Sequence, residues 1–285
     1  MNNLILGTAQ LGLEKYGACN TTGMPHTQEA LEMIRVALDY GITGFDTSPL
    51  YGSSQRRLGK VLKNEKLWCK LYTKVDLDCN YCDVADQQLT SSLIELQRDS
   101  VEGVFGNLTD YNNGLMEIVM ANKWKTDGRI KKFGVSVYNM EEALHKLKCA
   151  HIDMVQVPYN IIDQRASKVN LFKMADALGK DVFVRSVFLQ GKLLNYMNNC
   201  YNHVPIGQFH RSTKNFSRHP MELCFEFIKN TAPNAHILAG AESLIQLEEI
   251  VFHYNNVMKD DYALFSIADP RVVYEGMVDP RRWDK

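Results

Sequence analysis

An apolar run ending in an acid, Gly44-Phe45-Asp46, is followed five residues later by Tyr51 and then Gly52. A second apolar run, Lys70-Leu71-Tyr72-Thr73-Lys74-Val75, carries a lysine near its end. An acid, a tyrosine and a lysine gathered at the same ends of neighbouring strands can make a proton donor. An ammonium group beside a phenol favours phenolate and draws the phenol's pKa down from about 10. A buried carboxylate holds the lysine charged and in place. Such a trio can protonate a carbonyl oxygen while hydride arrives at the carbon. Asp46, Tyr51 and Lys74 are therefore the expected catalytic residues, with Tyr51 as general acid, Lys74 tuning it and Asp46 orienting Lys74.

The elements that must position them follow one rhythm, short apolar strands alternating with amphipathic helices. Strands are expected at Leu4–Leu6, Gly44–Asp46, Lys70–Lys74, Val101–Phe105, Lys132–Val135, Met154–Val157, Asp181–Ser186 and Ala235–Leu238. Helices are expected near Gln28–Tyr40, Ser54–Leu62, Val84–Leu96, Gly114–Lys125, Met140–Lys148, Arg165–Leu178, Met221–Asn230 and Ser243–Tyr254. Thr27 is the expected cap of the first helix, which stops at Gly41. Strand–helix units repeated in this way predict an α/β fold, a parallel (β/α)8 TIM barrel in a single domain spanning 1–285. Active sites of that fold lie at the C-terminal ends of the strands. Asp46, Lys74, Ser136 and Gln156 all fall at such ends. Two stretches fit no unit, Leu189–His219 and the tail Asp260–Lys285, and the first is long enough to suggest function.

Composition narrows the class. A chain of 285 residues with 45% hydrophobic content can bury a sizeable core. Its net charge of −1 gives no electrostatic reason to expect nucleic acid or an anionic membrane as partner. Neither a membrane span nor a signal peptide is expected from the apolar patterning. Seven scattered cysteines read as reduced thiols of a cytoplasmic enzyme. Cys79 and Cys82 have the spacing of a zinc or redox pair, yet no second pair accompanies them, so no metal is expected. His203 and His210, in the long loop, are candidates for substrate contact, and Lys123-Trp124-Lys125 reads as the solvated end of a helix.

Further motifs stand in order along the chain. They are Leu6-Gly7-Thr8, Phe45-Asp46-Thr47 with Tyr51-Gly52, Leu58-Gly59, Lys74, Phe133-Gly134-Val135-Ser136, Gln156-Val157-Pro158-Tyr159-Asn160, and Ala239-Gly240-Ala241 with Gln246-Leu247. Together they resemble the aldo-keto reductases from the first strand to the last helix. The resemblance implies a nicotinamide cofactor, NADP(H) by family habit with NAD(H) open, and a small-molecule carbonyl substrate. It places Ser136 and Gln156 on the nicotinamide carboxamide. Arg185 and Ser186 follow at the end of the seventh strand. Gln190, Gly191 and Lys192, with Gly240, Ala241, Ser243 and Gln246, fall where the family holds the cofactor's phosphates.

The chain departs from the family pattern at several of these positions. Asn107 stands where a histidine usually ends the fourth strand; its amide can donate to a carbonyl oxygen but carries no proton or charge to the reaction. Potassium-channel β-subunits, in the wider family, share that asparagine. Val137 replaces an asparagine, and Arg185 replaces an aromatic that stacks on the nicotinamide. A guanidinium can stack on a ring or reach a substrate carboxylate or phosphate. At the phosphate end, Gly240 and Gln246 stand where lysine and arginine are common, leaving Lys192 to supply charge beside Glu242. The expected function is NAD(P)H-dependent reduction of a small polar carbonyl, including a sugar or nucleotide-sugar derivative. The departures keep two other classes open, a nucleotide-binding sensor or partner subunit and a redox-neutral lyase or epimerase.

Overall fold

A computed structural model describes residues 3–20, 22–64, 68–77, 81–107, 114–194, 204–215, 217–257, 278–279 and 282–283. The strands are β1 (Leu4–Gly7), β2 (Gly44–Asp46), β3 (Lys70–Asp76), β4 (Val101–Asn107), β5 (Ile130–Ser136), β6 (Met154–Pro158), β7 (Asp181–Arg185) and β8 (His236–Gly240). They pair in parallel in sequence order, and β8 returns to β1 to close the barrel. The helices are α1 (Thr27–Asp39), α2 (Ser54–Asn64), α3 (Cys82–Leu96), α4 (Gly114–Thr126), α5 (Met140–Leu147), α6 (Arg165–Lys168), α7 (Leu171–Leu178), α8 (Val204–Asn215), α9 (Pro220–Thr231) and α10 (Leu244–Asn255). The (β/α)8 barrel read from the sequence is the fold.

Two apolar layers hold it. Outside the strands, one large cluster including Phe45, Phe133, Trp124 and Val155 packs sheet against helices. Inside, Ile5, Tyr72, Phe105, Met154, Phe183 and Leu238 form a separate plug. Phe183 meets Tyr72 and Phe105 edge to face at 4.8 and 5.1 Å. Gly134 lets β5 and β6 pass closely, since a Cβ there would lie 2.1 Å from the Met154 carbonyl oxygen.

The differences from the sequence expectation are local. His26, not Thr27, caps α1, and the Thr27 hydroxyl instead accepts from Arg57 at 3.3 Å. The helix expected over Arg165–Leu178 breaks at Asn170, whose φ of 55° is left-handed. Inside Leu189–His219 lies α8, with Ile206 and Phe209 buried. Trp124 is buried rather than solvated, and its Nε1 donates to Asp86 at 2.8 Å. Cys79, His203, Phe265 and Tyr274 lie outside the described residues. Of the tail, Val278 and Asp279 are buried, and Trp283 packs against the core. No helix among the described residues is long and apolar enough to cross a membrane.

One buried charge cluster ties the helical layer. Glu117 of α4 is fully buried; Lys146 of α5 lies 2.5 Å from its Oε1 and His151 Nε2 is 3.2 Å from its Oε2. Lys146→Met leaves that carboxylate short of its main partner and should destabilise the fold by about 3–5 kcal/mol. Urea unfolding checks this, and adding Glu117→Leu to Lys146→Met should recover most of the loss.

Candidate active site

The strand ends deliver the chemistry because a strand shows the same face every second residue. Tyr72 plugs the barrel, so Lys74 emerges above it at the mouth; Met154 does the same for Gln156, and Phe183 for Arg185. Asp46 and Ser136 end β2 and β5 in the same layer. Lys74 Nζ lies 2.6 Å from Asp46 Oδ1 and also donates to the Thr47 carbonyl at 3.1 Å. Gln156 Nε2 donates to Asp46 Oδ2 at 3.0 Å, and Ser136 Oγ donates to Gln156 Oε1 at 2.9 Å. A continuous chain of polar contacts therefore runs Lys74–Asp46–Gln156–Ser136 across the mouth.

Tyr51 sits above this chain on the loop between β2 and α2. Its ring centroid is 5.1 Å from Lys74 Nζ. The loop is fixed from below by three buried hydroxyls. Ser54 Oγ donates to Thr8 Oγ1 at 2.7 Å, Thr8 Oγ1 donates to the Asp46 carbonyl at 3.1 Å, and Thr47 Oγ1 lies 3.3 Å from Ser54 Oγ. It is fixed from the side by two glycines. A Cβ on Gly12 would fall 2.0 Å from the Tyr51 carbonyl oxygen, and one on Gly52, which has φ +57°, would fall 2.1 Å from the Gly12 oxygen.

The electrostatics of Tyr51 differ from the expectation of a lowered phenol. Burial pushes its pKa above the ordinary phenol value, and the Asp46 carboxylate pushes the same way. Arg185 and a hydrogen bond from Tyr16 oppose that shift without reversing it. Lys74 lies beside the phenol ring, but it is paired with Asp46, whose own charge raises the phenol. Tyr51 is thus a phenol that stays protonated.

A cleft of about 520 Å³ runs from Tyr51, Lys74 and Asp46 to the start of α10. Of the expected cofactor residues, Ser136, Gln156, Arg185, Ser186, Gln190, Gly191, Gly240 and Gln246 line it. Ala241 is buried beneath it, and Ser243 caps α10, its hydroxyl accepting from the Gln246 N–H at 3.3 Å. Lys192 does not line it: its ammonium lies 3.2 Å from the centre of the Trp283 ring. Lys192 follows the left-handed turn Leu189–Gln190, with φ of 48° and 52°. His210 is buried, with Nε2 3.0 Å from the Lys192 carbonyl oxygen, and makes no part of the cleft. Asn107 closes β4 opposite Asp76, and its side chain lies outside the described residues.

Some cleft residues carry no sequence signal. Tyr16, from the loop after β1, meets the Tyr51 ring edge to face at 5.9 Å. Tyr138 carries the Arg185 guanidinium on its ring at 3.8 Å, and Arg185 Nη2 donates to the Val137 carbonyl at 3.2 Å. Cys19 packs against Gly191, where a Cβ would meet its own at 2.9 Å. Spectrophotometric titration of the protein against its Tyr51→Phe variant should show the missing phenol ionising above about 10. Ionisation near 9 or below would instead mean that Lys74 governs it.

The comparisons with known proteins agree with this architecture. The chain is 28% identical to the aldo-keto reductase YhdN of Bacillus subtilis over 173 residues, 56% of this chain and 50% of that one. It thus spans about half the length of this curated relative. Among solved structures, the holo form of an aldo-keto reductase from Bacillus halodurans superposes with a TM-score of 0.78 at 18% identity, covering 99% of this chain and 95% of that one. A glycerol dehydrogenase from Gluconobacter oxydans gives 0.74 at 19% identity, over 99% and 94%. An aldo/keto reductase from Klebsiella pneumoniae, solved with NADP and acetate, gives 0.73 at 16% identity, over 95% and 91%. Those likenesses concern the fold; the model of the Aldo/keto reductase family, which matches residues 3–264, shows that this chain belongs to that family.

Proposed function

We propose that this chain is an NAD(P)H-dependent oxidoreductase that reduces the carbonyl of a small polar molecule, a sugar or nucleotide-sugar derivative being the class favoured by the polar mouth. The observation that carries the reading is the Lys74–Asp46 pair at 2.6 Å beneath a phenol held protonated. The cleft fits a nicotinamide dinucleotide. Gly7, paired with Gly240 across β1 and β8, brings no side chain to the mouth, so backbone there can be approached closely. Ser136 and Gln156 would meet the carboxamide, with Gln190, Gly191 and Gly240 along the phosphates. A nicotinamide held by these residues would be the source of hydride for the carbonyl carbon.

The chain's own residues do the rest. Tyr51 gives its phenolic proton to the carbonyl oxygen. Lys74 stabilises negative charge on the oxygens that share that proton, and Asp46 holds Lys74 in place. Asn107 is the proposed second donor to the carbonyl oxygen. The described cysteines are all free, which supports a reducing, cytoplasmic setting.

Tyr51→Phe removes one hydroxyl, so cofactor binding should persist while turnover of a carbonyl panel falls by roughly 10²-fold or more. Unchanged turnover takes Tyr51 out of the mechanism. Gly12→Ala tests positioning rather than chemistry. It pushes the Tyr51 loop aside and should lower kcat by about 10²-fold, with circular dichroism confirming a folded variant. Full activity in that variant would mean the loop tolerates displacement.

A further inference from the structure

We propose that the cleft takes NAD(H) in preference to NADP(H), with Glu242 selecting the free ribose 2′-hydroxyl. This rests on the reading that the cleft holds a nicotinamide dinucleotide.

A 2′-phosphate needs cations or unoccupied N–H groups. At the α10 end of the cleft no lining residue is a lysine or an arginine, and the N–H groups are partly taken. Three of the backbone N–H groups there already have acceptors. Glu242 N–H donates to Gln246 Oε1 at 3.0 Å, Leu244 N–H to Glu29 Oε1 at 3.3 Å, and Gln246 N–H to Ser243 Oγ at 3.3 Å. One of those acceptors, Glu29, itself brings negative charge to the helix start. The two cations of the cleft, Lys74 and Arg185, belong to its other end, and Lys192 is turned onto Trp283. His219 also lines the cleft, but burial and the neighbouring His253 keep its pKa below the ordinary histidine value.

What the end does offer is carboxylate. Glu242 and Glu249 both line it. Glu242 Oε2 accepts from Thr22 Oγ1 at 2.9 Å, which orients the group, while Oε1 has no partner among the described residues. An oriented carboxylate with an open oxygen accepts from a hydroxyl and repels a phosphate dianion. The same atoms thus favour one cofactor and disfavour the other.

The test is equilibrium titration of the purified full-length protein with NADH and with NADPH, read by quenching of protein fluorescence. NADH should bind at least about tenfold tighter, a difference that narrows as salt screens the repulsion. Glu242→Gln removes the charge and keeps the shape; it should bring the two dissociation constants within about threefold of one another. A thermal melt confirms that the variant is folded. Equal or tighter binding of NADPH by the unaltered protein overturns the proposal and leaves the reductase reading standing. An unchanged ratio in Glu242→Gln overturns the role given to Glu242. Binding of neither cofactor overturns the dinucleotide reading itself, and this proposal with it.

Discussion

An ammonium and a carboxylate 2.6 Å apart, both largely withdrawn from water, constrain everything built around them. Burying such a pair costs several kcal/mol per ion before attraction is counted, and the pair is tolerable only where its other hydrogen-bonding positions are filled. Here the Thr47 carbonyl takes a second proton of Lys74, and Gln156 donates to the second oxygen of Asp46. Gln156 stands 110 residues from Asp46 in the chain. The carboxylate is therefore satisfied only when β6 has come round to face β2. Lys74 of the neighbouring β3 neutralises Asp46, and the amide from β6, across the barrel, completes its hydrogen bonding, which links the fold to the placement of the proton donor.

The same closure sets what reaches the mouth. Ile5, Tyr72, Phe105, Met154, Phe183 and Leu238 fill the barrel. Two residues further along those strands come Gly7, Lys74, Asn107, Gln156, Arg185 and Gly240. A two-residue step keeps to one face of a strand, so the apolar plug is the underside of the functional layer. On β3, β6 and β7 the step brings a cation or an amide. On β1 and β8 it brings glycine, and there the cleft runs out toward α10. At Gly7 the missing Cβ leaves backbone open to the cleft, and at Gly240 the Gln10 side chain takes the space instead.

That layering explains why part of the site is legible in sequence. An apolar run with a polar residue at its rim is a local pattern, and it marks Asp46, Lys74, Ser136, Gln156 and Arg185 without coordinates. Side chains in turns have no such pattern. Ser186, Leu189 and Gln190 all adopt positive φ, a conformation those residue types do not advertise. Lys192 follows that turn, and its position beside Gly191 suggests a phosphate contact that its packing on Trp283 does not make. Tyr16 lies in an aperiodic loop and meets Tyr51 only through tertiary folding. The helix α8 escapes notice for a similar reason, because Ile206 and Phe209 give a buried spacing too short to stand out among Asn and His.

Charge is distributed unevenly along the cleft, and under the proposed function this bears on direction. Lys74 and Arg185 stand with Asp46 at the end where the nicotinamide would lie, leaving one positive charge there in balance, and Glu242 and Glu249 stand at the other. A reduced nicotinamide ring is neutral and an oxidised one is cationic, so fixed cations favour the reduced ring. They also favour the negative charge that develops on a carbonyl oxygen as hydride arrives. Tyr51 fits the same direction, since burial and Asp46 keep its proton in place until an acceptor more basic than a carbonyl forms beside it. The same Asp46 that fixes Lys74 therefore also helps to keep the phenol's proton in place.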